Sequence, residues 1–379
     1  MPPAITSRAA LIGGSAALVV LAVVAALLAL LPSAQGSERR AVPPVRHVFV
    51  VNIENKDYDR TWGSDPGSPY LARTLRKQGV LLKDYYGTAH HSLGNYLAQI
   101  SGQGPDQSIQ DDCSYFTNFQ WTGHTLSPGQ YVADPGGSGG CVFPKETPTL
   151  AGQLDAAGYS WRGYMEDMGT SCRHPKVGTK DQMQQAQPDE QYATRHNPFM
   201  YFHSIIDRPK YCASHVVDLS RLTHDLGHVS RTRNLTYITP DLCSDGHDAP
   251  CADGRPGGFK SINAWMKKWI PQILASPAFQ EDGLLVITAD ESDGVDSDSS
   301  ACCGEGPGPN ASQPGISGLG GGKVGALVIS PFTEPGTTTT TAYNHYSLLA
   351  SIEDAFGLEH LGYASAGDLP RFGSDIYSK

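Results

Sequence analysis

The chain has 379 residues, 39% hydrophobic and 17% charged, with 38 acidic against 28 basic residues and a formal net charge of −10. That balance excludes a binder of nucleic-acid backbones, whose footprint is a basic surface. A phosphate group could still be held by local cations, histidines or oriented N–H groups.

The N-terminus has three parts. Arg8 precedes an apolar region with no polar residue from Ala16 to Leu31, and PSAQGSERR follows. A basic start, an apolar stretch and small residues near Gly36 form the layout of a secretory signal over residues 1–36. The apolar region is long for a signal and short for a comfortable span, so a retained N-terminal membrane anchor is the alternative. Arg39, Arg40 and Arg46 disfavour translocation of an uncleaved anchor. Either way the protein is expected to be exported, as a secreted enzyme or one anchored to the outer face of the cytoplasmic membrane. Residues 37–43 read as a linker, and 44–379 as the catalytic domain.

Further along, VRHVFVVNIEN (45–55) is a Val-rich run that predicts a buried strand ending in polar residues. SPYLARTLRKQG predicts a helix stopped by Gly79, and VLLKDYYGT a second strand. In HHSLGNYLAQISG, Leu93, Tyr96, Leu97 and Ile100 recur at helical spacing, with Ser92 placed to act as the N-cap. Residues 104–146, rich in Gly, Pro and Cys, predict an irregular insertion. TPTLAGQLDAAGYSWRGYME then reads as helix, glycine stop and strand, and NLTYITPD as a strand. GFKSINAWMKKWIPQILASPAF predicts a helix interrupted or ended near Pro271. GLLVITADESDG and VGALVISPF predict strands, TTTTT (337–341) a loop, and NHYSLLASIEDAFG a helix closed by Gly357. Strands alternating with helices imply an α/β fold with a mostly parallel sheet, whose ligands bind at the carboxyl ends of the strands.

Eight cysteines, at 113, 141, 172, 212, 243, 251, 302 and 303, are an even count that suits disulfides in an exported chain. None forms a C-x-x-C pair, so a structural zinc site is poorly supported. Cys243 and Cys251 flank a short loop and are expected to pair. Cys302 and Cys303 are adjacent, and either bridge each other or take separate partners.

The chemistry-bearing segments are individually weak. ENKDYD (54–59) could be a polar turn, ADESDG (289–294) a solvated acidic turn, and SDGHD (244–248) an exposed loop with an ordinary histidine. Ser92 could be a helix cap and His345 a histidine at a helix start. Read functionally, Glu54, Asn55, Asp290 and Glu291 offer the hard oxygen ligands that suit a divalent cation.

Their order carries more than any one of them. Glu–Asn after the first strand, HSLGNYL, RHNPFMYF, SDGHDAPC, the strand ending in Asp–Glu, and the closing GALVISPF…NHYSLLASIEDAFGL resemble the phosphoesterase family of bacterial acid phosphatases and phospholipases C, from about Val45 to Tyr363. The resemblance implies an alkaline phosphatase-like three-layer α/β/α sandwich. It implies Ser92 as the nucleophile and Glu54, Asn55, Asp290 and Glu291 as ligands of a divalent metal ion. It further implies that Asn95, His247 and His345 hold phosphoryl oxygens or handle protons. No role carries over to His90 or His91. Four positions depart from the family pattern: His91 and Gly94 stand where proline is frequent, Asn344 replaces an aspartate before the closing histidine, and Ser292 replaces a glycine.

The leading expectation is an exported, metal-dependent phosphomonoesterase that passes through a phosphoserine, with a small phosphorylated molecule as substrate. The runner-up is a phospholipase C-type phosphodiesterase acting on a phospholipid head group. The chain ends soon after the closing motif and has KDYD where the lipases have Ser-Phe-Asp-His, which favours the first. A reading of another class is an inactive surface binding protein on a hydrolase scaffold.

Overall fold

The computed structural model describes residues 42–135 and 139–378, together with residues 1, 3 and 4. The expected leader and most of the linker therefore lie outside the described residues. From Val42 onward the described chain forms one unit. Among the described residues no helix is long and apolar enough to cross a membrane.

Eight strands make the central sheet: β1 (His47–Ile53), β2 (Val80–Leu82), β3 (Trp161–Met165), β4 (Val216–Asp218), β5 (Leu235–Thr239), β6 (Gly283–Ala289), β7 (Ala326–Ile329) and β8 (Thr338–Thr339). Their spatial order is β8-β2-β7-β6-β1-β5-β3-β4. Every pairing is parallel except the two made by β7, which runs antiparallel to β6 and β2. β1 and β6 are buried along their full lengths. This is why both read as continuous apolar runs rather than as alternating patterns.

The two faces of β1 meet different helices, because alternate residues point to opposite sides of a strand. Phe49 packs on Phe279 of the short helix Pro277–Asp282, with ring centroids 6.1 Å apart. Asn52, on the other face, exchanges hydrogen bonds with Gln99 at 3.0 and 3.1 Å. Gln99 belongs to α1 (Ser92–Ser101). α1 packs on α3 (His345–Phe356), while α2 (Gly258–Leu274) packs on Pro277–Asp282. The expected sheet with helices on both faces is present.

Local differences have physical causes. α2 continues through Pro271 to Leu274 instead of stopping. Proline forfeits one hydrogen bond, and burial of Trp265, Trp269, Ile270 and Ile273 along the apolar stripe outweighs that loss. The expected helix before Gly79 is a π turn at Tyr70–Thr74 followed by a 3₁₀ turn at Leu75–Gln78. The threonine run contributes β8, paired to β2, rather than forming only a loop. VLLKDYYGT splits: Val80–Leu82 joins the sheet, and Tyr85–Tyr86 pairs instead with Tyr343–Asn344 just before α3. The insertion holds a hairpin, Trp121–Leu126 with Gln130–Ala133.

Disulfides join Cys113 to Cys141, Cys172 to Cys212, Cys243 to Cys251 and Cys302 to Cys303. The Cys243–Cys251 expectation is met, and the adjacent pair bridges itself.

Candidate active site

Three adjacent parallel strands, β6, β1 and β5, end side by side, and the residues just past their carboxyl ends build the site. Backbone bonds lock the three loops together. The Glu54 N–H donates to the Asp245 carbonyl at 3.0 Å, the Asp290 N–H to the Ile53 carbonyl at 3.1 Å, and the Lys56 N–H to the Glu291 carbonyl at 2.9 Å. Asn55 takes a left-handed conformation at φ 50°, which asparagine tolerates better than most residues. This turns its N–H onto Asp290 Oδ1 at 3.0 Å.

α1 delivers the nucleophile candidate. Ser92 is the first residue of the helix rather than its cap. Its Oγ donates to Glu54 Oε2 at 2.9 Å and is turned toward the strand ends. The capping expected of Ser92 is performed by Asp112 in the insertion, whose Oδ1 accepts from the Leu93 N–H at 2.9 Å. Four residues after Ser92, one helical turn on, the Tyr96 hydroxyl donates to Glu54 Oε1. A single helix face thus holds both oxygens of one buried carboxylate.

His196 stacks on Tyr96, with ring centroids 5.4 Å apart and planes within 10°. Its Nε2 lies 3.3 Å from Glu54 Oε2, and its Nδ1 lies 3.2 Å from Asp245 Oδ2. Neither contact closes a hydrogen bond: both ring nitrogens and Asp245 Oδ2 are buried without a partner, as are Asn55 Oδ1 and Asp290 Oδ2. Ligand atoms of Glu54, His196 and Asp245 all fall within 4.8 Å of one another. The Asp290 carboxyl adjoins both Glu54 and the Ser92 hydroxyl.

The electrostatics of this cluster are unfavourable as it stands. Burial pushes the Glu54 carboxyl well above its ordinary range, and the charges of Asp290 and Asp245 push it further. Burial also raises Asp245 and Asp290. A nearby ammonium, that of Lys56, donates to the Asn55 carbonyl at 3.0 Å and is itself held below its usual value by burial. Burial holds the His196 imidazole well below its ordinary value, with Arg195 and His247 adding to the effect, so it is neutral and free to be a ligand. Buried, unpartnered oxygens with one neutral imidazole nitrogen are the donor set that a divalent cation satisfies. The residues therefore fit such an ion.

Several of the expected residues are already engaged by neighbours. His345 is fully buried and does not present a free nitrogen. Its Nε2 lies 2.6 Å from the Asp290 carbonyl, and its Nδ1 lies 3.0 Å from the Tyr85 hydroxyl and 3.2 Å from Gln99 Nε2. Burial pushes it down to about 4, so it is a neutral N–H donor that holds the Asp290 backbone. Asn95 is likewise occupied. Its Oδ1 accepts from the N–H groups of Thr88 at 2.8 Å and Ala89 at 3.0 Å, and its Nδ2 donates to the Ala89 carbonyl at 2.9 Å. With its Nδ2 also 3.4 Å from the His91 carbonyl, Asn95 shapes the loop before Ser92. Glu291 stands in the loop as expected, but its Oε2 pairs with His90 Nδ1, a histidine to which no role had been carried. Burial pushes the Glu291 carboxyl up to about 8.

His247 is the histidine of the set that reaches solvent. Its Nδ1 pairs with Asp248 at 2.8 Å, and its Nε2 lies 3.1 Å from Arg195 Nη2. Its ring centroid is 5.9 Å from that of His196. His196 and Asp245 escaped the sequence reading. RHNP and SDGHD stood out as segments, but nothing local says which of their side chains turns inward.

The phosphoesterase family model matches residues 68–359, a span that includes Ser92, His196, Asp245, Asp290 and His345. The chain belongs to the phosphoesterase family. Among its relatives, a probable acid phosphatase of Kluyveromyces lactis is 24% identical over 319 residues, covering 84% of this chain and 59% of that protein. A phosphate-repressible acid phosphatase of Penicillium chrysogenum is 26% identical over 298 residues, 77% of this chain and 56% of that one. This phosphoesterase thus spans somewhat over half the length of these fungal relatives. A phosphatidylinositol-3-phosphatase of Mycobacterium tuberculosis is 24% identical over 330 residues, 87% of this chain and 83% of that one. Among solved structures, a protein of the alkaline phosphatase superfamily from Vibrio parahaemolyticus aligns over 88% of this chain and 72% of its own, with a TM-score of 0.48 and 10% identity.

Proposed function

We propose that this phosphoesterase is an exported, metal-dependent phosphomonoesterase of the acid-phosphatase kind, with Ser92 as its nucleophile. The observation that carries the reading is the Ser92 Oγ contact to Glu54 Oε2 at 2.9 Å, beside a cluster of buried, unpartnered ligand atoms. Similarity to proteins named as acid phosphatases supports the reaction class. Four disulfides support an oxidising compartment.

Glu54, Asn55, His196, Asp245 and Asp290 would hold the metal ion, with Glu291 behind them in its pair with His90. When bound, the ion supplies charge neutralisation and lowers the pKa of the serine hydroxyl. Glu54 Oε2 accepts the Ser92 proton and aims Oγ at phosphorus. The first-turn N–H groups of α1 other than that of Leu93, which Asp112 takes, favour the incoming anion. Ser92 Oγ forms the new P–O bond while the P–O bond to the leaving alcohol breaks, and a proton is delivered to the departing oxygen. In this reading His247, solvent-facing and paired with Asp248, serves as the proton donor once its Nε2 is released from Arg195. Water then cleaves the phosphoserine. His345 and Asn95 act at one remove, holding the Asp290 loop and the Ser92 loop.

The testing experiment is hydrolysis of p-nitrophenyl phosphate and of p-nitrophenyl phosphorylcholine, with and without chelator. Chelator-sensitive turnover of the monoester is expected. Preferential turnover of the diester would favour a phospholipase C-type activity. No turnover of either with metal restored would favour a binding protein on this scaffold.

A further inference from the structure

Beyond the Ser92 site, a cavity of about 90 Å³ is walled by Glu305, Tyr346, Tyr363, Leu319, Leu369 and the Cys303 end of the vicinal disulfide. Its lining is mostly apolar and aromatic, with Thr88 and one carboxyl, Glu305, and no lysine, arginine or histidine among the described residues. Glu305 Oε1 is held by Asn344 Nδ2, which fixes the carboxyl plane. Glu305 Oε2 is buried and has no partner. Asn344 is in turn the cap of α3, its Oδ1 accepting from the Ser347 N–H at 2.8 Å, so the carboxyl is anchored to a rigid element. Tyr346 and Tyr363 meet edge to face with centroids 5.1 Å apart.

A buried carboxyl with one unused oxygen is costly unless something completes it. An anion would oppose ionisation of the carboxyl further, and a neutral apolar group would leave Oε2 unsatisfied. A cation with N–H donors answers both the carboxylate and the aromatic faces, which attract positive charge. The volume limits the guest. An apolar cavity of roughly 150 Å³ holds benzene, so about 90 Å³ suits a group of roughly four non-hydrogen atoms.

We propose that this cavity is a binding site for a small organic ammonium group, a protonated short-chain amine that donates to Glu305 Oε2 and packs on Tyr346 and Tyr363. Burial raises the Glu305 carboxyl well above its usual range, and an arriving ammonium opposes that shift by stabilising the carboxylate. The cavity shares none of the proposed metal-holding residues, although Thr88 of the loop before Ser92 is part of its wall, and binding there is read without turnover.

The test is calorimetric titration of the full chain with ethylammonium chloride, with ethanol and potassium chloride as shape and charge controls. Saturable binding of ethylammonium alone is expected, weakened at least tenfold by Glu305→Gln. Tyr363→Leu leaves the Glu305–Asn344 contact untouched and is expected to weaken binding severalfold, which keeps the test decisive if the glutamine variant fails to fold. Absence of saturable binding would overturn the proposal and leave water as the occupant. Equal binding of ethanol or potassium, or undiminished binding by both variants, would overturn it as well.

Discussion

Ser92 Oγ donates to Glu54 Oε2 at 2.9 Å, although 38 positions separate the two residues in the chain. The bond joins the start of α1 to the end of β1, and Tyr96 occupies the other oxygen of the same carboxylate. The proposed nucleophile is therefore held by a carboxylate whose two oxygens both accept hydrogen bonds from α1.

Ser92→Ala should lower turnover of p-nitrophenyl phosphate by at least roughly 10³-fold, since it removes the attacking atom. The helix cap belongs to Asp112, so the fold should survive. Thermal unfolding within a few degrees of wild type, together with lost turnover, is the expected pair of results. Substantial residual turnover would assign the nucleophile elsewhere.

Asp245→Asn and His196→Ala should each weaken divalent-metal binding by roughly 10–100-fold, measured by metal content after dialysis and by titration. Asp245→Asn should also stabilise the metal-free protein, because it removes one of the mutually repelling buried carboxyls. Wild type should gain thermal stability on adding the metal, and this variant should gain less. Unchanged metal content in both variants would dismiss the cluster.

The two histidines should separate kinetically. His247→Asn should cost much more with alkyl phosphates than with p-nitrophenyl phosphate, whose leaving group needs little protonation. His345→Gln should lower kcat for both substrates alike, with KM and the shape of the pH profile little changed, as expected of a group that holds the Asp290 carbonyl at 2.6 Å. A leaving-group dependence in the His345 variant, and none in the His247 variant, would exchange their roles.

Glu353 lies buried in α3, and burial pushes its carboxyl up to about 9, although it accepts from the Leu361 N–H at 3.1 Å. For an acid raised on folding, the folded state binds more protons, so stability is greatest below the unfolded value of roughly 4.5 and falls as pH rises toward the folded value. Glu353→Gln keeps the accepting oxygen and removes the ionisation. It should leave stability nearly unchanged near pH 4.5 and raise it by roughly 1–4 kcal/mol at pH 8, read by denaturant unfolding. A constant difference across that range would contradict the assignment.

Much of the scaffold is legible in the chain because it depends on neighbours in sequence. The apolar runs of β1 and β6, the helical spacing of α1 and the glycine that closes α3 each state their local structure, and the polar residues after β1 and β6 mark where strands end. Residue order also placed Glu54, Ser92 and Asp290 at the right ends of the right elements. What each side chain does there was decided by packing. His345 looks like Ser92 in sequence, a polar residue opening an apolar helix. The short pairing of Tyr343–Asn344 with Tyr85–Tyr86 sets it down behind the Asp290 loop, where burial keeps it neutral and both nitrogens are taken. Asp112 reaches α1 from an insertion tied by the Cys113–Cys141 bridge, and His196 reaches Glu54 by stacking on Tyr96. Such contacts span tens to hundreds of residues and depend on which face of a loop turns inward. Local pattern carries no term for that, and only the closed tertiary structure, with its demand that buried polar atoms find partners, decides it.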